Sequence, residues 1–136
     1  MAESISGTNV EILNPVVTGQ EGAYGLFNAE VDNFQLDEGI ILTTGRIINA
    51  LGPNDTESKS TAYVGTNGDP KLDIISGYTT RDACKLEFDI IPAGDSLTFD
   101  FSFASEEYSE YVCTNFNDVF GFFISGPGIV GDPGLS

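Results

Sequence analysis

Oxygen-donating side chains are concentrated in one short connection of the chain, residues 105–118. The connection reads SEEYSEYVCTNFND and is followed at once by the apolar run VFGFFI. Calcium binds six to eight oxygen ligands, which carboxylates, amides and main-chain carbonyls supply. The connection therefore predicts a calcium site, although it has no EF-hand spacing and solvated loop acids would explain its composition equally well. The candidate ligands are Asp118, Glu106, Glu107, Asn115 and Asn117.

These candidate ligands have competing interpretations. Asp118 is the strongest, because it begins a segment that is apolar on both faces and a shielded carboxylate needs a cation or hydrogen-bond donors. Glu106 and Glu107 would also suit the first turn of a short helix, where the helix dipole favours acids. Asn115 and Asn117 are more typical of turns than of metal sites.

Two other kinds of site could use the same connection. Tyr108 and Tyr111 could stack on sugar rings, or they could pack in the core. Glu106 and Glu110 could act as a carboxylate pair in glycoside hydrolysis, but the sequence fixes no separation between them.

The composition excludes several classes of function. The chain has 136 residues, 5 basic and 21 acidic, with a net charge of −16 and no histidine. Such a charge repels nucleic acid and anionic lipid and attracts cations. The lack of histidine rules out a serine–histidine or cysteine–histidine catalytic pair within this chain and disfavours zinc and copper sites.

The two cysteines, Cys84 and Cys113, leave three alternatives open. They could form one disulfide, remain two free thiols, or be one buried residue and one residue near a site. Cys84 lies on the apolar face of its predicted strand, so a buried thiol is the default for that residue.

Two segments alternate between apolar and polar residues, as half-buried strands do. In CKLEFDII (84–91) the residues Cys84, Leu86, Phe88 and Ile90 share one face. In SLTFDFSF (96–103) the apolar face contains Leu97, Phe99, Phe101 and Phe103, and PAGD separates the two segments. The pattern predicts a hairpin whose apolar residues share one core.

The rest of the chain also indicates strands rather than helices. Residues 8–17 predict a strand broken by Pro15, residues 38–47 a buried strand, and residues 119–124 a central strand. Residues 52–70 are polar and turn-forming, and Asp69 and Asp73 are read as solvated loop acids. The one helical candidate is residues 105–112. We predict one all-β domain over residues 1–136, an antiparallel β-sandwich.

The chain also resembles a known family. FDFSFASEEYSEYVCTNFNDVFGFFISGPG, with GIILTTGRI and GDPKLDIISGYTTRDACKLEFDI upstream, is similar to the choice-of-anchor L domain of exported bacterial proteins. The resemblance covers roughly residues 8–130 and implies a secreted or cell-surface module. It supplies no catalytic mechanism and no set of ligands.

The family domain continues with further strands beyond SGPG, so the resemblance implies a jelly-roll-like sandwich that lacks its C-terminal strands in this chain. Missing strands would expose edges and apolar faces. We therefore expect self-association, or a partner chain that completes the sheet. No insertion into a membrane is expected, since no run of 18 apolar residues occurs.

Three functions follow as hypotheses. The first is a non-enzymatic, calcium-stabilised module for adhesion or for assembly of a larger surface structure, located outside the cell or on its surface. The second is a lectin-like domain that binds a glycan through calcium and tyrosine rings. The third, ranked last, is a carboxylate-dependent hydrolase.

Overall fold

The computed structural model describes residues 9–29, 34–53, 56, 61, 66–105, 109 and 111–131. Within these residues, strands far outweigh helices, and every strand pair is antiparallel. The predicted all-β class is therefore confirmed. The regular elements are β1 (Val10–Thr18), β2 (Tyr24–Asn28), β3 (Glu38–Leu42), a 3₁₀ helix (Ile47–Leu51), α1 (Pro70–Ser76) and β4 (Lys85–Pro92).

The first sheet pairs β1 with β4, from Val10 opposite Pro92 to Thr18 opposite Lys85. The register shifts between Leu13 and Val16, so the strand passes Pro15 as a β-bulge instead of breaking there. A bulge accommodates proline because the extra residue does not have to donate to the ladder.

The alternation predicted for β4 is confirmed. Leu86, Phe88 and Ile90 are half-buried, whereas Glu87 and Asp89 are exposed. The predicted hairpin is wrong, however, because β4 pairs with β1 and not with the segment that follows it. A period of two shows which face of a strand is buried, but it does not show which strand lies beside it.

The second sheet pairs β2 with β3, from Tyr24 opposite Leu42 to Asn28 opposite Glu38. The strand predicted over residues 38–47 is shorter than expected and ends at Leu42. After it, the Thr43 amide donates to the carbonyl of Ala23 at 2.8 Å, and the chain turns into the 3₁₀ helix.

Ala23 lies where the two sheets approach each other. It is 2% exposed, and it is the one buried hydrophobic residue in the described part of the chain. Its carbonyl accepts the Thr43 amide beside β3 and lies 3.6 Å from Cys84 Sγ, which immediately precedes β4. Among the described residues, no other hydrophobic side chain is as deeply buried.

The segments 96–105 and 116–126 form no regular strand. Their phenylalanine rings nevertheless stack in antiparallel order: Phe99 with Phe122 at 4.1 Å between centroids, and Phe101 with Phe120 at 5.2 Å. Phe103 adds a tilted contact with Phe120 at 6.3 Å. We call these five residues the phenylalanine ladder.

The phenylalanine ladder corrects two predictions. Its five side chains are 46–59% exposed, so they do not form the buried core that the alternation predicted. The central strand predicted over residues 119–124 does not form here either. Apolar runs of this kind become central strands only when backbone partners and a covering layer are present on both sides. Here the ladder rings stay about half exposed.

Candidate functional site

An open cavity of about 460 Å³ lies at the end of the phenylalanine ladder. It forms where the two ladder segments meet the connection predicted to hold a site. Its described lining consists of Tyr78, Phe103, Ser105 and residues 111–118.

Asp118 is half-buried in this cavity, as the sequence predicted. The hydroxyl of Ser105 donates a hydrogen bond of 2.8 Å to Asp118 Oδ2. Ser105 follows one ladder segment and Asp118 precedes the other, so this bond joins the two segments at their open end.

The rim of the cavity is a compact turn over residues 111–116. Thr114 Oγ1 donates to the Tyr111 carbonyl at 2.7 Å and accepts from the Phe116 amide at 3.2 Å. The rings of Tyr111 and Phe116 meet edge to face with centroids 5.4 Å apart. Cys113 has a φ of 67°, the left-handed conformation that closes the turn. The turn therefore holds two aromatic rings and the exposed Asn115 and Asn117 around one opening.

The structure brings together three of the predicted calcium ligands, Asp118, Asn115 and Asn117. Glu106 and Glu107, together with Glu110 and Tyr108, lie outside the described residues. In the part of the chain that the structure describes, no group of three or more acidic or cysteine side chains is arranged to hold a metal. The calcium site stays a prediction. Of the helical candidate 105–112, the described residues 109, 111 and 112 lie in turns.

Both cysteines are free thiols in the structure. Cys84 is half-buried, and its burial raises the pKa of the thiol. Cys113 is exposed and lines the cavity. A disulfide between them stays one of the three alternatives that the sequence leaves open.

A second cluster of polar side chains surrounds Asp69. The prediction that Asp69 is a solvated loop acid is wrong. Asp69 is 8% exposed and caps the N-terminus of α1, where its Oδ1 accepts from the Lys71 amide at 2.8 Å. Its other oxygen, Oδ2, lies 3.0 Å from Lys85 Nζ at the start of β4. The carboxylate therefore ties a short helix to the first sheet.

The sequence did contain the signal for this helix. In GDPKLDIISG, aspartate precedes proline at the first helical position and Gly77 follows the last turn. Gly77 has a φ of 74°, the left-handed conformation that often ends helices. An N-cap aspartate, an N1 proline and a C-terminal glycine together predict a helix.

The charge state of the Asp69–Lys85 pair is set by opposing effects. Burial alone would raise the pKa of Asp69, but hydrogen bonds from Lys85 and from the Lys71 amide outweigh it and lower the pKa below its ordinary value. The bond to Asp69 raises the pKa of Lys85. Both groups stay ionised near neutral pH. The protonated Lys85 amine therefore has no lone pair with which to form an amide bond to Asp69, and the contact is a structural ion pair.

Thr80 completes this cluster. Its amide and hydroxyl both donate to Asp73 Oδ1 at 2.6 Å, and its hydroxyl oxygen accepts from the Asp69 amide at 3.0 Å. These bonds to Thr80 lower the pKa of Asp73. A side chain at Gly68 would collide with the Thr80 carbonyl, so the close approach requires glycine there. Because its polar groups are satisfied by one another, this cluster is a structural feature and not a candidate binding site.

The fold and the site define a class: a small, strongly acidic, all-β domain with a polar and aromatic cavity at one end of a largely exposed apolar ladder. Comparison with family models identifies the family. Residues 1–132 match the choice-of-anchor L domain, so the chain belongs to that family. The family comprises non-catalytic modules associated with the bacterial surface or secreted from the cell.

The other comparisons add no relative, since no curated protein and no solved structure matches the chain. No helix in the described part of the chain combines the length and the apolarity needed to cross a membrane.

Proposed function

We propose that this domain is a non-catalytic extracellular module for adhesion or for assembly of a larger surface structure, and that it associates through the phenylalanine ladder. The observation that carries the proposal is the exposure of the ladder. Its rings are stacked in a fixed order, yet about half of each side chain faces solvent.

Ordered and exposed aromatic surface is characteristic of binding sites. Soluble monomers rarely expose large contiguous apolar patches, and larger ones mark interaction surfaces. Phenylalanine is also enriched at protein interfaces. The stacking fixes the positions of the rings before a partner arrives, which reduces the ordering entropy that association would otherwise cost.

The backbone of the ladder supports the same proposal. Residues 97–103 and 119–124 are not paired in a regular strand ladder, so a strand from another chain could add to their backbone. The partner is a second copy of the domain or a different chain that completes the sheet. The charge of −16 per chain opposes self-association, and salt or a bound cation would weaken that opposition.

Association of the isolated domain tests this proposal. Light scattering over a range of concentrations, at low and high salt, should show a mass above that of the monomer. Phe101→Ser should reduce it, whereas Leu26→Ser should not. The two side chains are a matched pair, because Phe101 is 59% exposed inside the ladder and Leu26 is 58% exposed on β2. A stable monomer that binds no hydrophobic dye would contradict the proposal.

We further propose that calcium stabilises the domain at the cavity. The support is chemical: Asp118, Asn115 and Asn117 offer oxygen donors around one opening, and a divalent cation would relieve part of the charge repulsion. A ligand that binds only the folded state stabilises it by about 2.7 kcal/mol at a hundredfold excess over Kd.

A thermal melt with calcium and with chelator measures this stabilisation. Calcium should raise the melting temperature by several degrees, and Asp118→Ala should abolish most of the rise. Asp95→Ala, an exposed aspartate in the turn after β4, is the control and should keep it. Identical melts with calcium and chelator would show that the acidic connection is only solvated.

The hydrolase alternative has less support. Asp118 is the one carboxylate among the described lining residues, and glycoside hydrolysis requires two at a defined separation.

A further inference from the structure

We infer that the cavity binds a neutral sugar unit of a glycan. This inference deepens the proposed adhesion function and rests on it for its biological meaning, but its test is independent of the ladder. The relevant features are two aromatic rings on a pre-formed rim, amide and carboxylate side chains in the same lining, and the strongly negative charge of the chain.

The aromatic part of the cavity suits the faces of a sugar ring. Tyr111 and Phe116 meet edge to face at 5.4 Å, and Phe116 and Tyr78 are 65% and 77% exposed. A sugar presents C–H groups on its faces, and such groups pack on exposed aromatic rings. Because Thr114 bridges Tyr111 and Phe116 through its hydroxyl, the rim is held before the ligand arrives.

The polar part of the cavity suits the hydroxyl groups on the edge of the same ring. Asn115 and Asn117 offer amide donors and acceptors, and Asp118 accepts through a carboxylate already oriented by Ser105 at 2.8 Å. A lipid chain would leave these groups unsatisfied, which costs free energy for every polar group that loses water. The mixed lining therefore favours an amphipathic ligand, and its volume of about 460 Å³ lies within the range of small-molecule sites.

Charge selects among sugars. A net charge of −16 and a carboxylate in the lining repel uronic and sialic acids, whereas neutral hexoses and N-acetylhexosamines carry no such penalty. We therefore assign the site to neutral sugars.

Saturation-transfer NMR with the 136-residue chain tests this assignment. The probes are glucose, galactose, mannose and N-acetylglucosamine, with glucuronic acid as the charged comparison, each with calcium and with chelator. Transfer to one or more neutral sugars is expected, and none to glucuronic acid. Tyr111→Ala and Phe116→Ala should weaken binding by roughly tenfold.

Three variants separate the role of the rings from loss of folding. Tyr111→Phe keeps the ring and should keep most of the binding. Phe34→Ala removes an exposed aromatic side chain that does not line the cavity and should leave binding unchanged. Phe101→Ser should reduce association without reducing sugar binding.

The assignment is overturned if no neutral sugar binds to chain that melts cooperatively, if only glucuronic acid binds, or if Tyr111→Ala and Phe116→Ala bind as well as wild type. The proposed association through the ladder would survive each of these results. Conversely, a domain that stays monomeric and binds neutral sugars would contradict association through the ladder and support the sugar site in the cavity.

Discussion

Residues 9–92 and residues 96–131 keep their shape by different interactions. In the first region, two antiparallel pairs and α1 are joined by backbone hydrogen bonds and by the Asp69 cluster. In the second region, stacked phenylalanine rings and the Ser105–Asp118 bond align the two segments without a regular strand ladder. Both regions leave apolar side chains exposed, but only in the second are the exposed phenylalanine rings stacked in a regular order.

Because of this difference, the two regions are suited to different roles. A region built of paired strands and a capped helix is suited to carry the stability of the chain. A region of ordered, exposed aromatic rings outside the paired strands is suited to meet another molecule. The cavity lies within the second region, beside the ladder and not among the paired strands.

The largest expected effect on stability comes from the cap and ion pair of the first region. Asp69→Ala removes the N-cap of α1 and the contact with Lys85, and should lower the free energy of unfolding by about 2 kcal/mol. Asp69→Asn keeps a capping side chain and should cost about half as much. Chemical denaturation measures both, with Asp95→Ala expected within about 0.5 kcal/mol of wild type. An Asp69→Ala variant as stable as the control would show that the first region does not depend on this cluster.

The same pair predicts a pH dependence. The pKa of Asp69 is lowered in the folded state, so its contribution is present above the ordinary aspartate pKa of 3.8 and is lost as pH falls through the folded value. The pKa of Lys85 is raised above 10.5, so its contribution is lost only as pH rises through that higher value.

The difference in stability between wild type and Asp69→Asn should therefore be constant from about pH 5 to 9 and shrink below about pH 4. Comparing two variants cancels the general effect of protonating the other acids. A difference that persists unchanged at pH 2 would mean that Asp69 acts through its shape and not its charge.

A smaller effect is expected within the ladder. A double-mutant cycle with Phe99→Ala and Phe122→Ala should give a coupling energy of about 0.5–1.5 kcal/mol, as for other stacked rings. The pair Phe99 and Phe34, which do not stack, should show no coupling. A zero value for Phe99 and Phe122 would mean that the rings are adjacent without stabilising each other.

The smallest expected effect concerns a contact between the two regions. Lys71 Nζ in α1 lies 5.4 Å from the centroid of Phe123, so Lys71→Gln should cost about 0.5 kcal/mol. Lys71→Arg keeps a cation over the ring and should cost less. Equal losses in the two variants would argue against a cation–π contact.

The sequence patterns predicted which face of a strand is buried better than they predicted which strands lie side by side. The buried face of β4 could be read directly, because alternation of Leu86, Phe88 and Ile90 with acidic residues reflects the pleat of the strand. The pairing of β4 with β1 could not be predicted, because backbone hydrogen bonds are the same for every sequence. The turn after β4 only suggested the following segment as a partner. The exposure of the ladder could not be predicted either. Apolar residues alternate in the same way whether they pack against their own chain or against another chain.

Of the candidate site, the sequence allowed the partial shielding of Asp118 to be predicted, and the calcium site itself stays a prediction. The shielded Asp118 was predicted because a carboxylate beside an apolar run needs partners, and the structure gives it Ser105. The Asp69 cluster was missed because its lysine and threonine partners, Lys85 and Thr80, lie more than ten residues away. Only the helix signal Asp69-Pro70 with Gly77 was local enough to be read.

Hydrogen exchange followed by mass spectrometry tests most directly the claim that the ladder is an association surface. In dilute solution, amides of β1 and β4 should exchange slowly, whereas amides of residues 97–103 and 118–124 should exchange quickly, because no regular strand ladder protects them. At concentrations where the domain associates, the ladder segments should become protected and β1 should not change. Ladder amides that are already slow in the dilute monomer, or that stay fast in the assembled state, would contradict the account.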